Sequence, residues 1–255
     1  MTTGLLTMTD DLLIHIASML TAPTDLVRLQ LTCPRFADKV RGSSEMLSIP
    51  EEAARRWLDG CSEQERGWVP RHWFESWLGL MHEVVVLRLP LAFGRAHATI
   101  TLSENGAVAT RSRGGWRAAA STVVMRSGRH YAQFTVVAGD YMMFGVIRPG
   151  WGVEGGVDAE YVDGHCFYYT NGGYRFPARH AWEGMQGAKK QGDRIGMLLD
   201  LDQGSMTVWK NGQQLGVMQA EGLRGPLCWA ASLYALDHGS AHIESAAVPV
   251  TINED

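Results

Sequence analysis

Four cysteines in 255 residues, Cys33, Cys61, Cys166 and Cys228, include no C-x-x-C pair. That scarcity argues against a zinc ribbon, a dithiol redox site and a disulfide framework. Buried, reduced thiols are the expectation, which suits the cytoplasm or nucleus. Long apolar runs are missing as well. The longest stretch, EVVVLRLPLAF (83–93), is interrupted by Glu83, Arg88 and Pro90 and falls short of the roughly 18 residues that a membrane span needs. No basic stretch leads into an apolar core at the start, so no secretory leader is expected. Positive charge is not in excess: the net charge is -4, which removes the electrostatic basis for a nucleic-acid or anionic-membrane partner. Catalytic signatures are also absent. There is no H-E-x-x-H and no G-x-S-x-G, and the glycine-rich FGVIRPGWGVEGG leads into no helix whose amides could hold a phosphate. The histidines are scattered, and no repeat suggests a propeller. The sequence points away from an enzyme, a metal site and a cofactor.

Glycine and tryptophan are plentiful, at 29 and 9. Together they suit a turn-rich fold with large aromatic anchors. Residues 1–45 read as short helices: TDDLLIHIASML places Leu12, Ile16, Met19 and Leu20 on one face, Pro23 breaks the run, and DLVRLQL and RFADKV follow. Residues 46–82 read as a helical linker. In it Pro50, Glu51 and Glu52 start a helix that Gly60 stops, and Trp73, Phe74, Trp77 and Leu80 form a packing stripe. Residues 83–247 change to short runs rich in Val, Ile and aromatics, from VVVLRLP, ATITLS and STVVMRS through HYAQFTVVA and RIGMLLDL to CWAASLYA. Turn clusters separate them, which predicts an all-β sandwich or barrel. Residues 248–255 read as a tail.

Within that β region, GMLLDLDQGSMTVWKNGQQLG (196–216) has the look of a calcium loop beginning at Asp200. Such a loop needs Gly at its sixth position and Glu at its twelfth, whereas Gly204 falls fifth and Asn211 twelfth. Strands joined by turns at Gln203-Gly204 and Asn211-Gly212 are the better reading. Recognition is expected in the loops, because Tyr, Trp and Arg dominate binding hot spots. The candidates are Arg111, Arg113, Trp116 and Arg117 in TRSRGGWRAA, then Arg148 and Trp151 in RPGW. YYTNGGYR adds Tyr168, Tyr169, Tyr174 and Arg175, and LYALDHG adds Tyr234, Asp237 and His238.

Two segments resemble known modules. MTDDLLIHIASMLTAPTDLVRLQLTCPRF (8–36) resembles an F-box through Asp10-Asp11-Leu12-Leu13, Ile16, Leu20, Asp25-Leu26, Leu29, Cys33 and Phe36, with Thr9 where proline is usual and Phe36 where tryptophan is usual. RSGRHYAQFTV, MFGVI, GDRIGMLLDLDQGSMTVWKNGQQLG and LCWAASL, in that order, resemble a SPRY domain, with Ala132 where tryptophan is usual. The resemblance implies a mainly β protein: an antiparallel, two-sheet, concanavalin-like β-sandwich of the SPRY type behind a small all-α segment. It also implies a non-catalytic substrate receptor of a Skp–cullin–F-box ubiquitin ligase. Leu12, Leu13, Ile16, Leu20 and Leu29 would meet a Skp-type adaptor and through it a cullin. Arg111, Arg113, Trp116, Arg148, Trp151, Tyr174, Tyr234, Leu236 and Asp237 would meet a target protein. The alternative is a stand-alone peptide- or glycan-binding module with a helical cap.

Overall fold

The computed structural model describes residues 8–40, 45–69, 71, 76–112, 114–155, 158–235 and 238–249. The chain forms two compact units, Met1–Leu89 and Pro90–Asp255.

The first unit holds helices α1 (Asp10–Ala17), α2 (Pro23–Thr32), α3 (Pro34–Ala37), α4 (Ile49–Asp59), α5 (Glu63–Trp68) and α6 (Trp77–Leu87). Their starts follow the capping rules. Ser48 accepts from the Glu51 amide with Pro50 in the first turn, Ser62 and Glu65 form a reciprocal capping box, and Ser76 accepts from the Gly79 amide. All but α5 contribute to one core of Leu13, Ile14, Ala17, Leu26, Phe36, Ile49, Leu58, Met81 and Val84. The segment expected as a linker therefore shares the core of the segment before it. Trp77 and Leu80 pack there, while Trp73 and Phe74 lie outside the described residues.

One expectation is corrected in this unit. VVVLRLP is not a strand, because its valines fall inside α6. Val84 there is buried with Leu80 and Met81 at helical spacing, so tertiary burial outweighs the β-preference of a valine run. The buried side of α1 is Leu13, Ile14 and Ala17, while Leu12 and Ile16 stand 44% and 37% exposed. A short amphipathic helix with apolar residues on two sides commits only one of them to its own core.

The second unit is the expected two-sheet antiparallel sandwich. Strands β1 (Phe93–Ala96), β4 (Gly114–Ser121), β6 (Met142–Ile147), β7 (Cys166–Tyr169), β8 (Arg175–Phe176) and β12 (Cys228–Ala235) form one sheet, in the order β1-β4-β12-β6-β7-β8. The other sheet has β2 (Ile100–Ser103), β3 (Val108–Arg111), β5 (Arg129–Ala138), β9 (Arg194–Asp200), β10 (Ser205–Lys210), β11 (Gln213–Gln219) and β13 (Gly239–Glu244), in the order β11-β10-β9-β5-β13-β3-β2. Alternation along the strands sends Phe134 of β5, Phe144 of β6 and Trp229 of β12 into the core between the sheets. Phe134 and Phe144 stack at 4.8 Å, and Trp229 meets Phe134 edge-on at 6.1 Å. STVVMRS is not a strand; Met125 makes one isolated bridge to Leu227. TRSRGGWRAA is largely strand and not an open loop: Thr110 and Arg111 end β3, and residues 114–119 lie in β4.

Tight interlocks fix the register. Gly145 of β6 has no room for a side chain: a Cβ there would lie 1.9 Å from the Cys166 carbonyl oxygen of β7. The carboxylates of the supposed calcium loop serve the backbone instead. Asp200 Oδ1 accepts from the amides of Asp202 and Gln203, and Asp202 Oδ1 accepts from the Gly128 amide. Asn211 and Gly212, with φ of 51° and 86°, form the left-handed tip that joins β10 to β11. Among the described residues no cluster of His, Cys, Asp or Glu is placed to hold a metal ion. Nor is any helix among them long and apolar enough to cross a membrane.

Candidate functional site

The outward face of the six-stranded sheet carries its own apolar layer. Ala118 and Ala120 of β4, Met143 and Ile147 of β6, Phe167 of β7 and Ala230 of β12 point away from the main core and cluster together. The long β6–β7 connection covers part of this layer. Arg95 Nη1 donates to the carbonyls of Pro149 and Trp151 at 2.8 and 3.2 Å, and the Ala98 amide donates to Glu154 at 2.7 Å. Trp151 packs in the layer and meets His165 edge-on at 5.7 Å. Ser232 Oγ donates to Glu160 Oε2 at 3.0 Å. Glu160 is fully buried, and burial pushes its carboxyl up to about 7.

Where this covering stops, an open groove of about 720 Å³ remains, bounded by Trp116, Met143, Tyr161, Tyr169, Asn171, Gly172, Tyr174, Phe176, Ala178 and Arg179. Its rings form a ladder. Tyr161 meets Phe176 at 6.1 Å, Phe176 meets Tyr169 at 5.7 Å, Tyr169 meets Trp116 at 5.8 Å, and Trp116 meets Tyr234 at 5.3 Å, with Tyr141 beyond at 6.1 Å. Most contacts are edge-to-face or tilted, so ring faces remain available to a ligand. Burial pushes the Tyr169 phenol upward, although the Asn171 side chain acts against this. Among the described residues no acidic side chain lines the groove, and Arg179 is the one charged lining residue.

The sequence candidates divide sharply. Trp116 and Tyr174 line the groove, and the Tyr234 ring packs against Trp116. Arg111 is a correction: it ends β3 at 4% exposure, with Nη1 donating to Thr99 Oγ1 at 3.0 Å. Burial and the nearby Arg117 push its guanidinium pKa down. Arg148 lies against Gly164 in the covering connection, and Trp151 packs beneath it; neither lines the groove. Tyr168 is a second correction, since it points into the main core. Arg113, Leu236 and Asp237 lie outside the described residues. On the helical unit, Leu13 is 1% exposed in its own core and has no face to offer a partner, and Leu20 and Leu29 are half-buried against that core.

Met143, Tyr161, Phe176 and Arg179 were missed. Period-two alternation in MMFGVI and CFYY would have placed Met143 beside Tyr169 on one face. Tyr161 and Arg179 come from connections, where no periodicity marks direction.

The buried thiols and His130 are held away from their reactive forms. Burial raises the Cys166 thiol to about 12 and pushes Cys61 and Cys228 up too, away from the thiolate that a nucleophile needs. His130 is buried against the Ser127 carbonyl, and burial pushes it down.

No family profile and no curated protein matches the sequence. Among solved structures, the chain is similar to the SPRY domain of human HERC1, with a TM-score of 0.50 and 19% identity over 61% of this chain and 97% of that one. The PSpry domain of TRIM65 aligns with a TM-score of 0.48 and 15% identity, over 60% and 89%. The likeness to the HERC1 domain and the two antiparallel sheets give this chain a SPRY-like fold.

Proposed function

We propose that the chain is a non-catalytic protein-binding receptor whose sandwich holds a target in the aromatic groove. The observation that carries this reading is the groove itself: a concave, open surface lined by Trp116, Tyr169 and Phe176 of the sheet and by Tyr161 and Tyr174 of its connections. Aromatic anchors on a fixed scaffold supply large contact area at small entropic cost. Trp116→Ala is expected to weaken binding of a target captured from native cells by about tenfold or more, since a hot-spot aromatic contributes about 2 kcal/mol or more. Cross-linking and pull-down with wild type and variant would measure it. An unchanged set of partners would remove the groove from the account.

The finer reading is a substrate receptor of a Skp–cullin–F-box ubiquitin ligase in the cytoplasm or nucleus. It is supported by exposed apolar pairs at helical spacing, Leu12 with Ile16 on α1 and Val27 with Leu31 on α2. Leu13, being internal, is removed from the adaptor set, while Leu20 and Leu29 offer only their exposed edges. Binding adaptor and target together would raise the target's effective concentration at the ubiquitin-charged enzyme. The double variant Leu12→Asp, Ile16→Asp is expected to abolish co-purification with a Skp-type adaptor and leave groove partners in place. Wild-type chain that forms no such complex would end the ligase reading.

A further inference from the structure

Arg179 is the least explained residue of the groove. The hairpin that carries it is closed by a reciprocal pair, with the Arg175 amide donating to the His180 carbonyl at 2.9 Å and the His180 amide to the Arg175 carbonyl at 2.8 Å. Between them Ala178 and Arg179 both take left-handed backbone, with φ of 70° and 48°. That region disfavours residues with a Cβ, and two in succession are the kind of local strain found at ligand clamps. The hairpin sets the Arg179 guanidinium over the Tyr174 ring, 4.6 Å from its centroid. Arg179 is exposed, and no carboxylate among the described residues pairs with it.

A guanidinium held over a ring face by a cation–π contact still has N–H groups to donate, and its fork can match a carboxylate in two parallel hydrogen bonds. One cation, with no second basic residue among the described lining residues, suits a single carboxylate better than a phosphate dianion. Beside it, the Trp116, Tyr169 and Phe176 floor suits an apolar side chain.

We infer that the groove receives an acidic peptide segment, with Arg179 pairing an Asp or Glu side chain while a neighbouring apolar residue settles against Trp116, Tyr169 and Phe176. This rests on the groove being a protein-binding surface and names the chemistry of what binds there.

The test is selection of displayed, randomised linear peptides on the full-length chain, followed by calorimetric titration of an enriched peptide. The enriched sequences should share an acidic residue at a fixed distance from an aromatic or aliphatic one. Arg179→Gln should weaken the peptide by about tenfold or more, and Arg179→Lys should recover part of the loss. Arg179→Glu should be rescued when the peptide's acidic residue is changed to lysine, an outcome that a structural role would not give. Enriched peptides without a fixed acidic position, or an Arg179→Gln effect below about twofold alongside a large Trp116→Ala effect, overturn the acidic-peptide inference and leave the groove standing. If Trp116→Ala has no effect either, both fall. If no peptide enriches, the inference fails, and the groove reading is decided by the pull-down alone.

Discussion

Gly145→Ala is expected to cost the sandwich about 3 kcal/mol or more, the upper end of what overpacking a core does. A Cβ at this position would meet the Cys166 carbonyl oxygen at 1.9 Å and the Phe167 Cα at 2.9 Å, and both atoms belong to backbone. No side chain can swing aside to make room. Strands β6 and β7 would have to separate along the register that pairs Gly145 with Phe167 and Val146 with Cys166. That ladder places Met143 opposite Tyr169, so the variant would disturb the groove as well as the fold. Near-ultraviolet circular dichroism during urea unfolding measures the effect through the aromatic sandwich core. A midpoint within experimental error of wild type would show that the two strands yield more easily than their contact implies.

The second large effect depends on pH. Glu160 titrates near 4.5 ordinarily and near 7 when buried beside Ser232. Below about pH 4.5 both folded and unfolded chains hold the proton, and the stabilising contribution is complete. From there to about pH 7 the unfolded chain releases the proton and the folded chain keeps it, so stability falls. Above pH 7 the contribution is gone. The shift corresponds to roughly 3 kcal/mol at 1.36 kcal/mol per pH unit. His165 and His130 act in the opposite direction. Burial lowers both, so each loses stability as pH falls below its ordinary value of 6.5. The wild-type profile is thus a sum of opposed slopes, and the difference between wild type and Glu160→Gln isolates the carboxyl. The glutamine keeps an acceptor for Ser232 and cannot ionise. Its stability relative to wild type should be roughly 2–3 kcal/mol more favourable at pH 8 than at pH 5, measured by urea unfolding at each pH. A constant difference across that range would mean that Glu160 titrates in the folded chain as it does in the open chain.

The parts of this molecule that were legible in the sequence are those where local chemistry and global fold agree. Asn211-Gly212 demanded a left-handed turn, and SMTVWKN alternates as a half-buried strand should, so the β10–β11 hairpin could be placed. VVVLRLP misled because β-branched composition alone does not register that Val84 falls in line with Leu80 and Met81. Arg111 misled for a related reason: an arginine between a threonine and a serine resembles loop, and its burial beside Thr99 comes from the turn that leads into the neighbouring strand β2. Trp116 and Tyr174 were found because aromatics in turn-rich segments are informative. Arg179 left no trace, since its role is set by the backbone turn that aims it. Glu160 left none either, because DAEY reads as polar surface until the fold brings Ser232 over it.

The hairpin tip at Asn211-Gly212 also bears on how the protein ages. In a loose chain an asparagine followed by glycine is chemically fragile. The next backbone nitrogen attacks the side-chain carbonyl, ammonia leaves, and water opens the resulting succinimide to aspartate or isoaspartate. Here both ends of that amide are engaged: Asn211 Oδ1 accepts from the Arg194 amide at 2.8 Å, and Nδ2 donates to Asp193 Oδ1 at 3.0 Å. To reach the Gly212 nitrogen the side chain must first give up both bonds. The contacts that terminate the hairpin thus also guard its most perishable residue.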